Sequence, residues 1–74
     1  MNVAELKAKR FKVCVGGEVE RTTNWKGVEK LIENWSDVPA YTPSEKAAFL
    51  KDSARKGYVY IDANITCQAI GVNA

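Results

Sequence analysis

Apolar and polar residues alternate without a break from Tyr58 to Ala69. Because successive side chains of a β-strand point to opposite faces, this alternation predicts one long strand with two unlike faces. The apolar face would hold Val59, Ile61, Ala63, Ile65, Cys67 and Ala69. The polar face would hold Tyr58, Tyr60, Asp62, Asn64, Thr66 and Gln68. The pattern therefore predicts a sheet with one buried face and one exposed face.

A β-hairpin is predicted in the first third of the chain. Alternating apolar residues predict a strand over 11–15, and Gly16-Gly17 follows directly as a two-residue turn, since glycine tolerates positive φ at both positions. The returning strand over 18–23 is weakly apolar and charged, which is typical of an edge strand. Residues 1–10 fit either a short helix or an extended lead-in to the hairpin.

A first helix is predicted over about residues 25–35, with Thr23 or Asn24 as its cap. Its apolar residues recur at helical spacing and form one stripe, made of Trp25, Val28, Leu31, Ile32 and Trp35. Turn residues over 36–41 end this helix, and Pro39 prevents its continuation.

A second helix has the clearest start signal in the chain. Thr42 is placed to cap it, Pro43 takes the first helical position, and Glu45 can reach back to the amide of the cap. The helix is predicted to run to about Lys56, where Gly57 supplies a left-handed stop.

The element order predicts an α+β fold in a single domain over residues 1–74. We expect a small three-stranded, mainly antiparallel sheet, formed by the hairpin and the last strand, with both helices on one face. The pattern leaves open whether the last strand pairs with the first strand or the second.

Composition places the chain among globular proteins, because 46% of its 74 residues are apolar and 27% are charged. Its apolar runs are too short for a membrane span or a secretion signal, so we expect a cytoplasmic protein without membrane association. The net charge of +2 disfavours a DNA mimic and is lower than that of most strong nonspecific DNA binders.

The chain contains no histidine, which removes the commonest general base and the commonest metal ligand. Its two cysteines, Cys14 and Cys67, lie within strand patterns and are predicted on opposite sheet faces, so we expect two free thiols and no zinc site. The carboxylates Glu29 and Glu33 are interleaved with lysines, as on a solvated helix face. These features favour a protein without enzymatic activity, and no metal or cofactor is expected.

Aromatic residues are the first candidates for a partner-binding site. Tyr58 and Tyr60 would project together from the exposed face of the last strand, although they could instead pack beneath the N-terminal segment. Trp35 and Tyr41 flank the predicted loop, where a tryptophan at the margin of the core is a typical interface anchor. Burial of both tryptophans in the core is the structural alternative.

Basic residues are the second candidates, for contact with nucleic-acid phosphates. They lie in two segments and comprise Lys7, Lys9, Arg10, Lys51 and Arg55. Together with Tyr58 and Tyr60 they would bind single strands by charge and base stacking. Solvation and the dipole of the second helix explain Lys51 and Arg55 without any ligand.

Two function classes follow. The favoured one is a non-enzymatic protein-binding module, acting as a small adaptor, assembly factor or stoichiometric inhibitor, and a homodimer formed by edge pairing or through the tyrosines belongs to this class. The alternative is a nucleic-acid-binding accessory protein. In length and in its lack of histidine, the chain resembles accessory proteins of bacteriophages and mobile elements, which include inhibitors of host defence complexes. That resemblance involves no sequence motif.

Overall fold

The computed structural model of the chain describes residues 1–35 and 42–72, with Val72 described by its backbone alone. The elements in chain order are α1 (Val3–Lys7), β1 (Lys9–Val15), β2 (Glu18–Thr23), α2 (Trp25–Trp35), α3 (Pro43–Lys56), β3 (Tyr58–Tyr60) and β4 (Ile65–Val72). The α+β class is confirmed. The predicted turn over 36–41, including Tyr41, lies outside the described residues.

The sheet has four antiparallel strands in the order β2-β1-β4-β3, so the prediction of three strands was wrong. The predicted long strand is in fact a second hairpin. The side chain of Asp62 accepts hydrogen bonds from the backbone N–H groups of Asn64 (2.7 Å) and Ile65 (2.8 Å), which stabilises a turn between β3 and β4. Ala63, predicted on the buried face, is therefore exposed in this turn.

The first hairpin forms as predicted. Gly16 and Gly17 both have positive φ, at 61° and 86°, a conformation that costs glycine little. Val13 pairs with Arg21 whereas Cys14 pairs with Val19, so one residue of β2 is extra and forms a β-bulge. The strand order also answers the question left open by the pattern, because β4 pairs with β1.

Helix α2 begins with a cap at Asn24, whose side chain accepts a hydrogen bond from the N–H of Gly27 (3.2 Å). The same glycine lets the helix approach the end of β2. A Cβ atom at Gly27 would lie 1.9 Å from the Oγ1 of Thr23, so a side chain there would force the two elements apart.

Helix α3 begins and ends where the sequence predicts. Thr42 and Glu45 form a reciprocal capping box, and Gly57 ends the helix at φ 83°. Residues 1–10 contain a short helix, α1, which has its own capping box between Asn2 and Glu5.

All three helices contribute to a hydrophobic core on one face of the sheet. The strands supply Phe11, Val13, Val59 and Cys67, each fully buried, and Ile61 joins them at the end of β3. The helices supply Leu6, Val28, Leu31 and Ala54. The strand register explains why these residues share one face, because Val13, Cys67 and Val59 lie opposite one another on three neighbouring strands. Both predicted helices therefore cover the same face.

None of the helices within residues 1–35 and 42–72 is long and apolar enough to cross a membrane.

Candidate functional site

The face of the sheet that points away from the core is not covered by any of the three helices. The strand register and the alternation of side chains along each strand agree on which residues lie on this face. We call this set of residues the open face. It consists of Arg10, Lys12, Cys14, Val19, Thr22, Tyr58, Tyr60, Thr66 and Gln68. Two rows cross the sheet, Thr22-Lys12-Gln68-Tyr58 and Val19-Cys14-Thr66-Tyr60.

Exposed apolar side chains are part of the open face. The large hydrophobic residues exposed there are Val19 (56%), Tyr60 (38%) and Tyr58 (37%). Elsewhere in the described part of the chain, the exposed large hydrophobic residues are Met1, Trp35 and Ile70, and Ile70 lines the depression at the end of α3. Single exposed apolar residues are ordinary, but three on one sheet face form a candidate contact surface.

The charges of the open face have one sign. Arg10 and Lys12 project from the central strand β1, and the set that defines the face contains no carboxylate. The guanidinium of Arg10 donates a hydrogen bond to the hydroxyl of Thr22 across the strand pair (3.3 Å). A partner with negative charge would therefore meet attraction without a fixed repulsive group on this face.

Tyr58 and Tyr60 were predicted to project from the same exposed face, and the strand register places both on the open face. Lys12 and Cys14 share that face, as the sequence suggested for neighbouring strands, but β4 lies between them and the tyrosines. At the margin, the Lys56 ammonium lies 6.0 Å from the centroid of the Tyr58 ring, at the outer range of a cation–π contact.

The two tryptophans of α2 have different surroundings. Trp25 packs against Phe11 with ring centroids 5.9 Å apart, and its indole N–H donates to the carboxylate of Glu29 (2.5 Å). Trp35 is 62% exposed and lines a groove of about 310 Å³ together with Val13 and Leu31. Trp25 thus packs against the core, whereas the side chain of Trp35 is largely exposed.

The basic residues proposed for phosphate contact do not form one cluster. Lys9 and Arg55 line a shared depression at the end of α3, and Lys56 completes it. Lys7 lies over the ring of Trp25, 5.9 Å from its centroid, and the predicted candidate Lys51 is exposed on α3. Arg10 belongs to the open face.

A carboxylate bridges two of the cations at the depression. Arg55 donates to Asp52 (2.5 Å), and Lys56 donates to its other oxygen (2.9 Å). The hydrogen bonds from Lys56 and Arg55 lower the pKa of Asp52, and the bond to Asp52 raises the pKa of Lys56. Both shifts favour the charged forms of Asp52 and Lys56.

Both cysteines are free thiols, as expected from their opposite faces. Burial raises the pKa of Cys67 to about 11, so this thiol is a poor nucleophile near neutral pH. Cys14 is half-buried on the open face. Within the described residues, no group of three or more potential ligands could hold a metal ion.

Sequence reasoning missed three contributors to these surfaces. Val19 was assigned to a charged edge strand, and only the bulge beside it fixes its pairing with Cys14. Ile70 is the extra residue of a second bulge, since Arg10 pairs with Gly71 and Phe11 with Ala69. Lys56 was predicted only as the end of the second helix, and no sequence signal indicated that it lines the same depression as Lys9.

Comparison with known protein families, with curated proteins and with solved structures finds no match to this chain.

Proposed function

We propose that this protein is a non-enzymatic protein-binding module whose contact surface is the open face of the sheet. The observation that supports this most directly is the exposure of Val19, Tyr58 and Tyr60 on one sheet face that no helix covers. Contact surfaces between proteins are enriched in aromatic residues and arginine and depleted in acidic residues. The open face has that composition.

Binding is preferred to catalysis because of the chemistry that the chain offers. The sequence has no histidine, and the buried Cys67 thiol has a raised pKa. Histidine is the commonest general base, and a thiol with a raised pKa is a poor nucleophile near neutral pH. A module that acts by occupying a partner's surface needs neither.

The partner is bound stoichiometrically, so the protein works as an adaptor or an inhibitor. In the specific form of this proposal it is an accessory protein of a bacteriophage or mobile element and inhibits a host defence complex. What supports this form is the resemblance of the chain to such accessory proteins in length and in its lack of histidine. Trp35, exposed beside its groove, supplies a second anchor for the same partner or a neighbouring subunit.

The proposal is tested by affinity capture from a host lysate with and without nuclease, using the tagged wild type and two matched variants. The open-face variant carries Val19→Ala and Tyr60→Ala, and the control carries Lys26→Ala and Lys30→Ala on the exposed side of α2. We expect one protein to be recovered in a fixed ratio with the wild type and the control. The open-face variant should recover at least ten-fold less of it.

Thermal unfolding of both variants establishes that any loss reflects the surface and not the fold. Equal recovery by the open-face variant would contradict the proposed surface, and recovery that disappears with nuclease would contradict a protein partner. Light scattering of the purified chain tests the remaining member of the class, a homodimer that covers the open face with a second copy.

A further inference from the structure

The basic depression at the end of α3 is distinct from the open face. It has a volume of about 440 Å³ and lies where α3 ends beside β1 and β4. Its cationic wall is formed by Lys9 from β1 and by Arg55 and Lys56 from the last turn of α3. Two elements far apart in sequence thus bring positive charge to one concave site.

The charge of this site is not cancelled within the described part of the molecule. Asp52 is the carboxylate that bonds to Arg55 and Lys56, so three cations against one carboxylate leave an excess of two positive charges. The C-terminal end of α3 adds a partial negative charge, which the basic residues of its last turn offset. An anionic group is the ligand that this excess favours.

The depression also allows close approach to the backbone. Gly57 and Gly71 contribute to its wall without side chains, and a Cβ atom placed on Gly71 would meet nothing within 4 Å. An anion with several oxygen atoms can therefore enter and meet more than one cation. A tetrahedral phosphate fits this arrangement and can accept hydrogen bonds from lysine and arginine together.

Lys56 links the depression to an aromatic ring on the open face. Lys56 belongs to its wall, and the ammonium of that residue is 6.0 Å from the centroid of Tyr58. Tyr58 is 37% exposed and is followed across the open face by Gln68 and then Lys12. Proteins that bind single strands combine phosphate contacts with aromatic side chains on which bases stack.

We propose that the basic depression binds a backbone phosphate of single-stranded nucleic acid while Tyr58 stacks an adjacent base. This inference goes beyond the protein-binding function, because Lys9 and Arg55 lie off the open face. It selects single strands, since a base paired within a duplex is not available to the tyrosine ring. The acidic surface of a protein would satisfy the cations but would leave the tyrosine without a stacking role.

The test measures binding of the full chain to a fluorescently labelled 12-nucleotide oligo-dT by anisotropy, at 50 and 200 mM salt. Its first variant carries Lys9→Gln and Arg55→Gln, and the matched control carries Lys26→Gln and Lys30→Gln on α2. Both remove two positive charges, so net charge is held equal. We expect about ten-fold weaker binding for the depression variant and less than two-fold for the control.

Salt dependence gives a second readout of the same contacts. The slope of log affinity against log salt should fall by about 0.7 for each phosphate contact that the depression variant loses. The control should keep the slope of the wild type. Equal losses in the two variants would show that net charge alone attracts the oligonucleotide, and the depression would then have no specific role.

Tyr58 is tested separately by Tyr58→Ala and Tyr58→Phe. Removal of the ring should weaken binding by about ten-fold, whereas phenylalanine should bind within two-fold of the wild type, because stacking requires the ring and not the hydroxyl. A duplex of the same length should bind more weakly than the single strand.

Three results would overturn the inference: no binding of oligo-dT at 50 mM salt, equal affinity for duplex and single strand, or tighter binding of a poly-glutamate peptide than of oligo-dT. Thermal unfolding of each variant confirms that it is folded. None of these outcomes affects the protein-binding proposal, whose variants change Val19 and Tyr60, because neither residue lines the depression.

Discussion

The two faces of the sheet are formed by the same four strands and yet have opposite characters. On the covered face, Val13, Cys67 and Val59 meet across three strands and are fully buried. Lys12 directly precedes Val13 on β1 and lies on the open face, in the row that ends at the exposed Tyr58. Alternation along each strand places a core residue and a surface residue at neighbouring positions. Substitutions at two such positions should therefore have very different effects on the free energy of unfolding.

The largest expected effect comes from placing a charge on the covered face. Ile61→Asp would bury a carboxylate without a partner in the core, at a cost on the order of 5 kcal/mol, which is comparable to the total stability of many small domains. We expect the variant to be largely unfolded at 25 °C by far-ultraviolet circular dichroism.

The matched change on the open face is Gln68→Asp, which introduces the same carboxylate at an exposed position between Lys12 and Tyr58. Its free energy of unfolding should stay within about 0.5 kcal/mol of the wild type. A folded Ile61→Asp protein, or an unfolded Gln68→Asp protein, would show that the two faces have been assigned wrongly.

A smaller effect is expected from removing volume without adding charge. Phe11 is fully buried and packs against Trp25, so Phe11→Ala should lower the free energy of unfolding by about 3–5 kcal/mol through lost burial and a cavity. Urea denaturation measures this value. Lys12→Ala, one residue along the same strand, should change it by less than about 0.5 kcal/mol.

The smallest effect concerns thiol reactivity, which compares one cysteine from each face. Cys14 is half-buried on the open face, whereas Cys67 is fully buried and has a pKa raised to about 11 by burial. A disulfide-exchange reagent at pH 8 should therefore modify one thiol per chain quickly and the second one at least ten-fold more slowly. Cys14→Ser should remove the fast phase alone.

The pH dependence of Cys67 has a definite sign. Its folded pKa lies above the ordinary value of 9.0, so burial of the neutral thiol contributes stability below pH 9. That contribution is lost as the pH rises from 9 to about 11. Urea denaturation across this range should show a smaller loss of stability in Cys67→Ala, and an identical loss would rule out the thiol as its source.

Local chemistry is what made the helices and the first hairpin predictable. The capping box of Thr42 and Glu45, the stop at Gly57 and the turn at Gly16-Gly17 each involve residues within four positions of one another. Such contacts form in the same way whatever the rest of the chain does. The two faces of the sheet were predictable for the same reason, because alternation needs no knowledge of the partner strand.

The turn at Asp62 was not predictable from alternation. Ile61 and Ile65 lie on either side of it, separated by an even number of positions, so the apolar pattern continues in phase through the turn. Three backbone hydrogen bonds between residues 61, 62 and 65 close it. A turn that preserves this phase leaves no break in the pattern, although Asp62 and Asn64 are typical turn residues.

The sequence by itself determined the α+β class, the helix ends, the first turn and the division of side chains between a buried and an exposed face. Tertiary structure alone decided the strand order, the two bulges, and the convergence of Lys9 with Arg55 and Lys56. The physical reason is the distance along the chain between the residues that determine each feature. Caps, turns and alternation depend on neighbours along the chain, whereas strand order and charge clusters depend on which distant segments the buried core brings together.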